Sequence, residues 1–189
     1  MTTIKPKLMT ADEFLALEPV PGKRYELIRG VLTEKTVGTG DPHAITVFRT
    51  SGIMFQYTET TDYGEARTGE PGYRLEQDPD TVRCPDIAWF APGRIPPGTS
   101  GFPDLTPDLC IEVASPSNSR ADRLLSDKAR MWLDFGAREV WVPNPETATL
   151  TRYRPGQPPE VLSEDDILDG GDLLPGFSVA VWQLFRRSR

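Results

Sequence analysis

The chain has 189 residues, 38% of them hydrophobic and 26% charged, which is enough apolar side chain for one buried core and excludes a disordered chain. A net charge of −7 argues against a protein that coats nucleic acid by bulk charge, because such affinity comes from Lys and Arg neutralising phosphates; an enzyme with a local basic rim remains open. Two cysteines and one histidine exclude a disulfide framework and a zinc-cluster spacing.

No stretch approaches the roughly 20 apolar residues of a membrane span. The N-terminal "MTTIKPKLMTADEF" has no apolar run behind its lysines, so no secretory signal is expected. The expectation is a cytoplasmic protein with no membrane partner. It should form a single domain over 1–189, with flexible ends at 1–8 and 186–189, the latter within a basic tail, "FRRSR".

"MTADEFLALEP" predicts a short helix with Thr10 as N-cap and Glu13 three residues on, a capping-box spacing. "KRYELIRGVLTEK" predicts two strand segments bent at Gly30. "DPHAITVFRTSGIMFQYTE" predicts a helix beginning after Asp41-Pro42, with Ile45, Phe48, Ile53 and Phe55 roughly on its apolar face. "TGEPGYRLE" and "TVRCPDIAWF" read as strands separated by the turn residues Asp78-Pro79-Asp80. "APGRIPPGTSGF" reads as a mobile loop with no phosphate-loop pattern. "DLCIEVAS" reads as a strand and "SRADRLLSDKARMWLDFG" as a helix. Leu124, Leu125, Lys128, Met131, Trp132 and Phe135 share one side of that helix, and Gly136 is its stop. "REVWVPNPETATLTRYR" predicts a hairpin, and "DLLPGFSVAVWQLF" a short strand and a closing segment. Strands outnumber helices without strict alternation, so the fold class is α/β or α+β with a mixed sheet flanked by helices and added hairpins.

A glutamate stands in the middle of the core-like run "DLCIEVAS". Strand alternation puts Glu112 on a face with the small residues Cys110 and Ala114, opposite Ile111 and Val113. Asp108 shares that face but lies about 13 Å along the strand, too far to share one metal ion with it. Of four Pro-Asp dipeptides, only Pro85-Asp86 leads directly into an apolar strand. On a neighbouring strand, about 4.8 Å away, Asp86 and Glu112 could hold one divalent ion together. If those strands are antiparallel with the carboxylates level, Cys84 and Cys110 diverge along the sheet by about 13 Å. That is beyond disulfide reach, so free, buried thiols are expected. Lys128, on the following helix, has two readings. Its stem packs on the sheet while its ammonium reaches water, or the ammonium turns back to the carboxylates and offsets charge on phosphate.

The ordered set "RYELIRG", "DPH", "CPDIAWF", "PDLCIEVASPS", "DKARMW", "GAREVWVPNP" and "LLPGF" resembles the Uma2 family, also called DUF820, of the PD-(D/E)XK restriction-endonuclease-like superfamily. The resemblance runs from about Met9 to Phe185. It implies a restriction-endonuclease-like fold and Mg²⁺- or Mn²⁺-dependent hydrolysis of DNA. Asp86 matches the aspartate of the PD element and Glu112 the (D/E) element, with the Val113 backbone carbonyl as a further metal contact. The superfamily lysine would stand two residues after Glu112, where this chain has Ala114; Lys128 matches the helix lysine of Uma2-like chains. Glu26 matches a further acidic position in or near the metal site. His43 has a capping role or faces the cleft, as the family's histidine there hints. "SPSNS" is read as helix capping, with phosphate contact as its second role, and the four tryptophans as core anchors.

Two other functions remain open. The same fold could be a silent module that binds nucleic acid or protein, with Arg120, Arg123 and Arg130 as a basic strip. It could also be an oligomeric interaction protein using the hairpin near Pro143. A homodimer is expected to be compatible with the edge-like strands.

Overall fold

The computed structural model describes residues 7–18, 20–35, 40–115 and 119–185, with the backbone alone for 119–122. The ends expected to be flexible therefore fall largely outside the described residues, as do most of "SPSNS" and the Arg120 side chain. The elements in chain order are α1 (Ala11–Leu15), β1 (Arg24–Ile28), β2 (Val31–Lys35), α2 (Asp41–Thr61), β3 (Glu65–Thr68), β4 (Tyr73–Glu76), β5 (Thr81–Arg83), β6 (Ile87–Phe90), β7 (Leu109–Ile111), α3 (Ser119–Asp134), β8 (Glu139–Asn144), β9 (Thr149–Tyr153), β10 (Glu160–Leu162), β11 (Ile167–Asp169) and β12 (Ser178–Ala180), then a 3-10 turn (Val181–Leu184). They make a mixed α/β fold. The chain divides into two compact units.

The first unit holds α1 and a sheet in the order β2-β1-β5-β4. The capping box forms: Glu13 N–H donates to Thr10 Oγ1, and Thr10 N–H donates to Glu13 Oε2. Ile28 pairs with Val31 across the two-residue turn Arg29-Gly30, and both turn residues have positive φ. Two left-handed residues match the twist of a tight hairpin. Gly30 is also crowded, since an added Cβ would lie 2.5 Å from Leu8 Cβ. Ala11, Leu27 and Val82 form this unit's small core, with Met9, Phe14 and Phe102 against it.

The second unit is built on a sheet in the order β10-β9-β8-β7-β6-β3. The β7–β8 pair is parallel, with α3 as its crossover, and the others are antiparallel. β6 and β7 are buried throughout and β8 along most of its length, which is why they read as unbroken apolar runs rather than alternating ones. Ile87, Trp89, Leu109 and Ile111 join Met54 and Tyr57 of α2, and residues of the C-terminal segment, in one core. The hairpin around Pro143 exists, but Pro143 itself is buried and its carbonyl accepts from Ala114 N–H.

Three expectations need correction. "TVRCPDIAWF" is not one strand: β5 pairs in the first sheet and β6 in the second. The break falls at Cys84-Pro85-Asp86, where Pro85 has no N–H to donate to a ladder. The inward face of α2 carries His43, Thr46, Thr50, Met54 and Tyr57, while Phe48 and Phe55 are exposed. On α3, Leu124 is exposed, and Ala129 and Trp132 are fully buried. Gly136 does end α3. It has positive φ, and Gly136 N–H and Ala137 N–H donate to the carbonyls of Leu133 and Trp132, the double closure of a Schellman turn.

Candidate active site

Asp86 and Glu112 flank one rung of the second sheet. Ile87 of β6 pairs with Ile111 of β7 in antiparallel register, so the residue before one and the residue after the other lie side by side. Val113 N–H donates to Asp86 Oδ2 at 2.7 Å, tying the two strand ends together. Both carboxylates are buried. The Glu112 backbone is fixed from the other side, its N–H donating to Trp141 C=O at 3.0 Å. Ala114 N–H repeats that contact one step on, with Pro143 C=O.

Helix α3 supplies the partners of Glu112. Lys128 Nζ lies 2.9 Å from Oε2 and Trp132 Nε1 donates to Oε1 at 2.7 Å. The two donors are four residues apart and share a helix face. The Lys128 side chain is only 13% exposed, so its ammonium turns toward the carboxylate rather than out to water. The sequence predicts Trp132 as a core anchor. It is fully buried, but its ring N–H also serves Glu112. The available signal was its place four residues after Lys128, on the helix facing the small-residue face of β7.

His43, in the first turn of α2, lies with Nε2 3.6 Å from Asp86 Oδ2 and is buried. Burial is the largest influence on Asp86 and pushes its pKa up. The His43 hydrogen-bonding interaction, the Lys128 charge and the Val113 N–H outweigh it and hold the carboxyl below its ordinary value of 3.8. A depressed native pKa means that Asp86 adds stability above the unfolded-state value and loses it as pH falls through the native one. In chelator, the wild type should therefore lose stability more steeply than Asp86→Asn as pH drops below about 4. Urea unfolding of both proteins along a pH series reads this; parallel curves would count against it.

Glu26 lies in the first unit with partners of its own. Arg83 Nε is 3.3 Å from Oε2, Lys35 Nζ is 3.8 Å from Oε1, and Cys84 N–H donates to Oε1 at 3.3 Å. Two other buried carboxylates hold the fold. Asp108 accepts from Ala91 N–H and Arg94, and Glu139 is clamped by Arg152. Cys84 and Cys110 are free and buried, as expected. Burial, and then the Glu112 charge, push the Cys110 thiol well above its ordinary range, which argues against a thiolate nucleophile. Arg123 and Arg130 of the expected basic strip are exposed.

Among the described residues, no group of three or more His, Cys, Asp or Glu side chains is arranged to hold a metal ion. The protein's offer is two carboxylates on adjacent strands. That set suits a hard cation such as Mg²⁺, which takes one or two carboxylates and keeps several waters. Two carboxylates alone fall short of a zinc site, whose ligands are chiefly nitrogen and sulfur with some carboxylate oxygen. Glu112 Oε2 faces Lys128 and Oε1 accepts from Trp132, and a carboxylate oxygen has two lone pairs.

The chain matches the Uma2 family, described as "Putative restriction endonuclease", over residues 11–182. No curated protein matches it. Among solved structures, a putative nuclease belonging to DUF820 from Anabaena variabilis ATCC 29413 superposes with a TM-score of 0.76 at 25% identity, covering 94% of this chain and 97% of that one. Among the described residues, no helix is long and apolar enough to cross a membrane.

Proposed function

The chain belongs to the Uma2 family, and from that membership and the site's geometry we propose that it is an endonuclease hydrolysing DNA phosphodiester bonds with Mg²⁺ or Mn²⁺. The observation that carries the reading is Asp86 and Glu112 beside one rung of adjacent strands, with Lys128 brought to them by the next helix. A bound divalent ion would polarise a phosphoryl oxygen and lower the pKa of a water. Asp86 and Glu112 would hold that ion, with the Val113 carbonyl as a third donor. Lys128 would offset negative charge developing on the phosphate. Trp132 fixes the direction of the Glu112 carboxylate and His43 lies beside Asp86, so both position the site rather than react. The reading does not require Glu26. In this reading the protein works in the cytoplasm, where free thiols stay reduced.

One observation favours a second reading, a module that binds nucleic acid or protein without cutting. Lys128 and Trp132 each already engage an oxygen of Glu112, as a purely structural pair would. Calorimetric titration of Mg²⁺ into the wild type and Asp86→Ala separates the two. A metal ligand should cost at least about tenfold in affinity when removed. Indistinguishable affinities would remove the metal site and leave the binding module standing.

A further inference from the structure

β3 ends the larger sheet: β6 lies on one side, and no strand among the described residues lies on the other. Its sequence is Glu65-Ala66-Arg67-Thr68. Glu65 and Arg67 share one face and pair with each other at 2.6 Å, their side chains about half exposed. Ala66 and Thr68 face the helix side, where Ala66 packs on the core and Thr68 Oγ1 lies 3.0 Å from Ser51 Oγ of α2. On that helix Phe48 is 79% and Phe55 63% exposed. They stand seven residues apart and so share a face. Between them, a Cβ added to Gly52 would meet nothing within 4 Å. Phe55, Ser51, Thr58 and the β3 backbone line a cleft of about 440 Å³.

We propose that this edge is a homodimer interface, in which β3 pairs antiparallel with β3 of a second copy about a twofold axis through Ala66. That axis sets Glu65 opposite Arg67 of the partner subunit, and Arg67 opposite the partner subunit's Glu65. Opposite charges facing across strands stabilise a pair, and like charges destabilise it. A parallel, in-register pairing would set like against like, so the pattern selects the antiparallel dimer. Charges commonly protect an edge strand from pairing; here their alternation makes the edge complementary to itself. The same axis brings both copies of α2 to one face of the joined sheet, where each covers the other's Phe55 and Phe48. Two large aromatic side chains left on one helix face are otherwise a cost in a monomer.

Sedimentation equilibrium on the full chain tests this, with charge reversal as the discriminating arm. The wild type should be a dimer. Arg67→Glu places like charges opposite each other and should raise the dissociation constant about tenfold or more. The double variant Glu65→Arg/Arg67→Glu restores complementarity and should restore the dimer. Phe55→Ser, at an exposed position, should weaken it without touching the charges. A monomeric wild type would overturn the proposal. So would a dimer indifferent to both Arg67→Glu and Phe55→Ser, or a double variant no tighter than Arg67→Glu.

Discussion

Lys128→Ala is expected to lower metal-dependent DNA cleavage by about 100- to 1,000-fold, the usual loss when one preorganised group that stabilises transition-state charge is removed. The ammonium lies 2.9 Å from Glu112 in a largely buried setting. Ala114, two residues after Glu112, has only a methyl group to offer. The same substitution should destabilise the metal-free protein by about 3–5 kcal/mol, because it removes the cation facing a buried carboxylate. A divalent ion at Glu112 would replace part of that lost charge. Mg²⁺ should therefore raise the melting temperature of Lys128→Ala more than that of the wild type. Single-turnover nicking of supercoiled DNA in Mn²⁺ reads the first effect, and thermal unfolding with and without Mg²⁺ reads the second. Cleavage by Lys128→Ala at the wild-type rate would remove the lysine from the mechanism.

The sequence shows these residues unevenly, for physical reasons. Glu112 stood out because a carboxylate inside an apolar strand needs partners. Asp86 stood out because a Pro-Asp pair led straight into core. Their closeness followed only on the condition that their strands are neighbours, since neighbouring strands have a fixed spacing; the β6–β7 register meets that condition. The buried face of α2 differs from the one its apolar residues predict because residue type and burial part company there. Thr46 and Thr50 face inward, and the Thr46 hydroxyl is satisfied by Pro42 C=O of its own helix. Phe48 and Phe55 face outward and are exposed. The split of "TVRCPDIAWF" into two sheets was hidden because strand propensity says nothing about which neighbour a strand finds. Its only local mark was Pro85. Trp132 was the subtlest case. On an amphipathic helix its apolar bulk accounts for its burial, and its one donor shows only when the strand beneath is placed.

The pair at the centre of the site also offers a way to separate chemistry from folding. Glu112→Leu alone leaves the Lys128 ammonium without this carboxylate in a largely buried position, and should cost about 3–5 kcal/mol, as expected for Lys128→Ala. The double variant Glu112→Leu/Lys128→Met replaces both charges with apolar side chains. Such exchanges of a buried ion pair are often neutral or stabilising. One debt remains, since Trp132 Nε1 loses its acceptor in a fully buried position, at about 1–3 kcal/mol. The double variant should therefore unfold in urea within roughly that margin of the wild type, clearly above either single change. It should still show no metal-dependent cleavage and no Mg²⁺ binding at this site. Recovery of stability without recovery of activity would mean that the fold can do without the ion pair and the chemistry cannot. If the double variant cut DNA like the wild type, Glu112 and Lys128 would be packing residues and the catalytic centre would lie elsewhere. If it were as unstable as the two single losses summed, each side chain would owe its stability to partners other than the other.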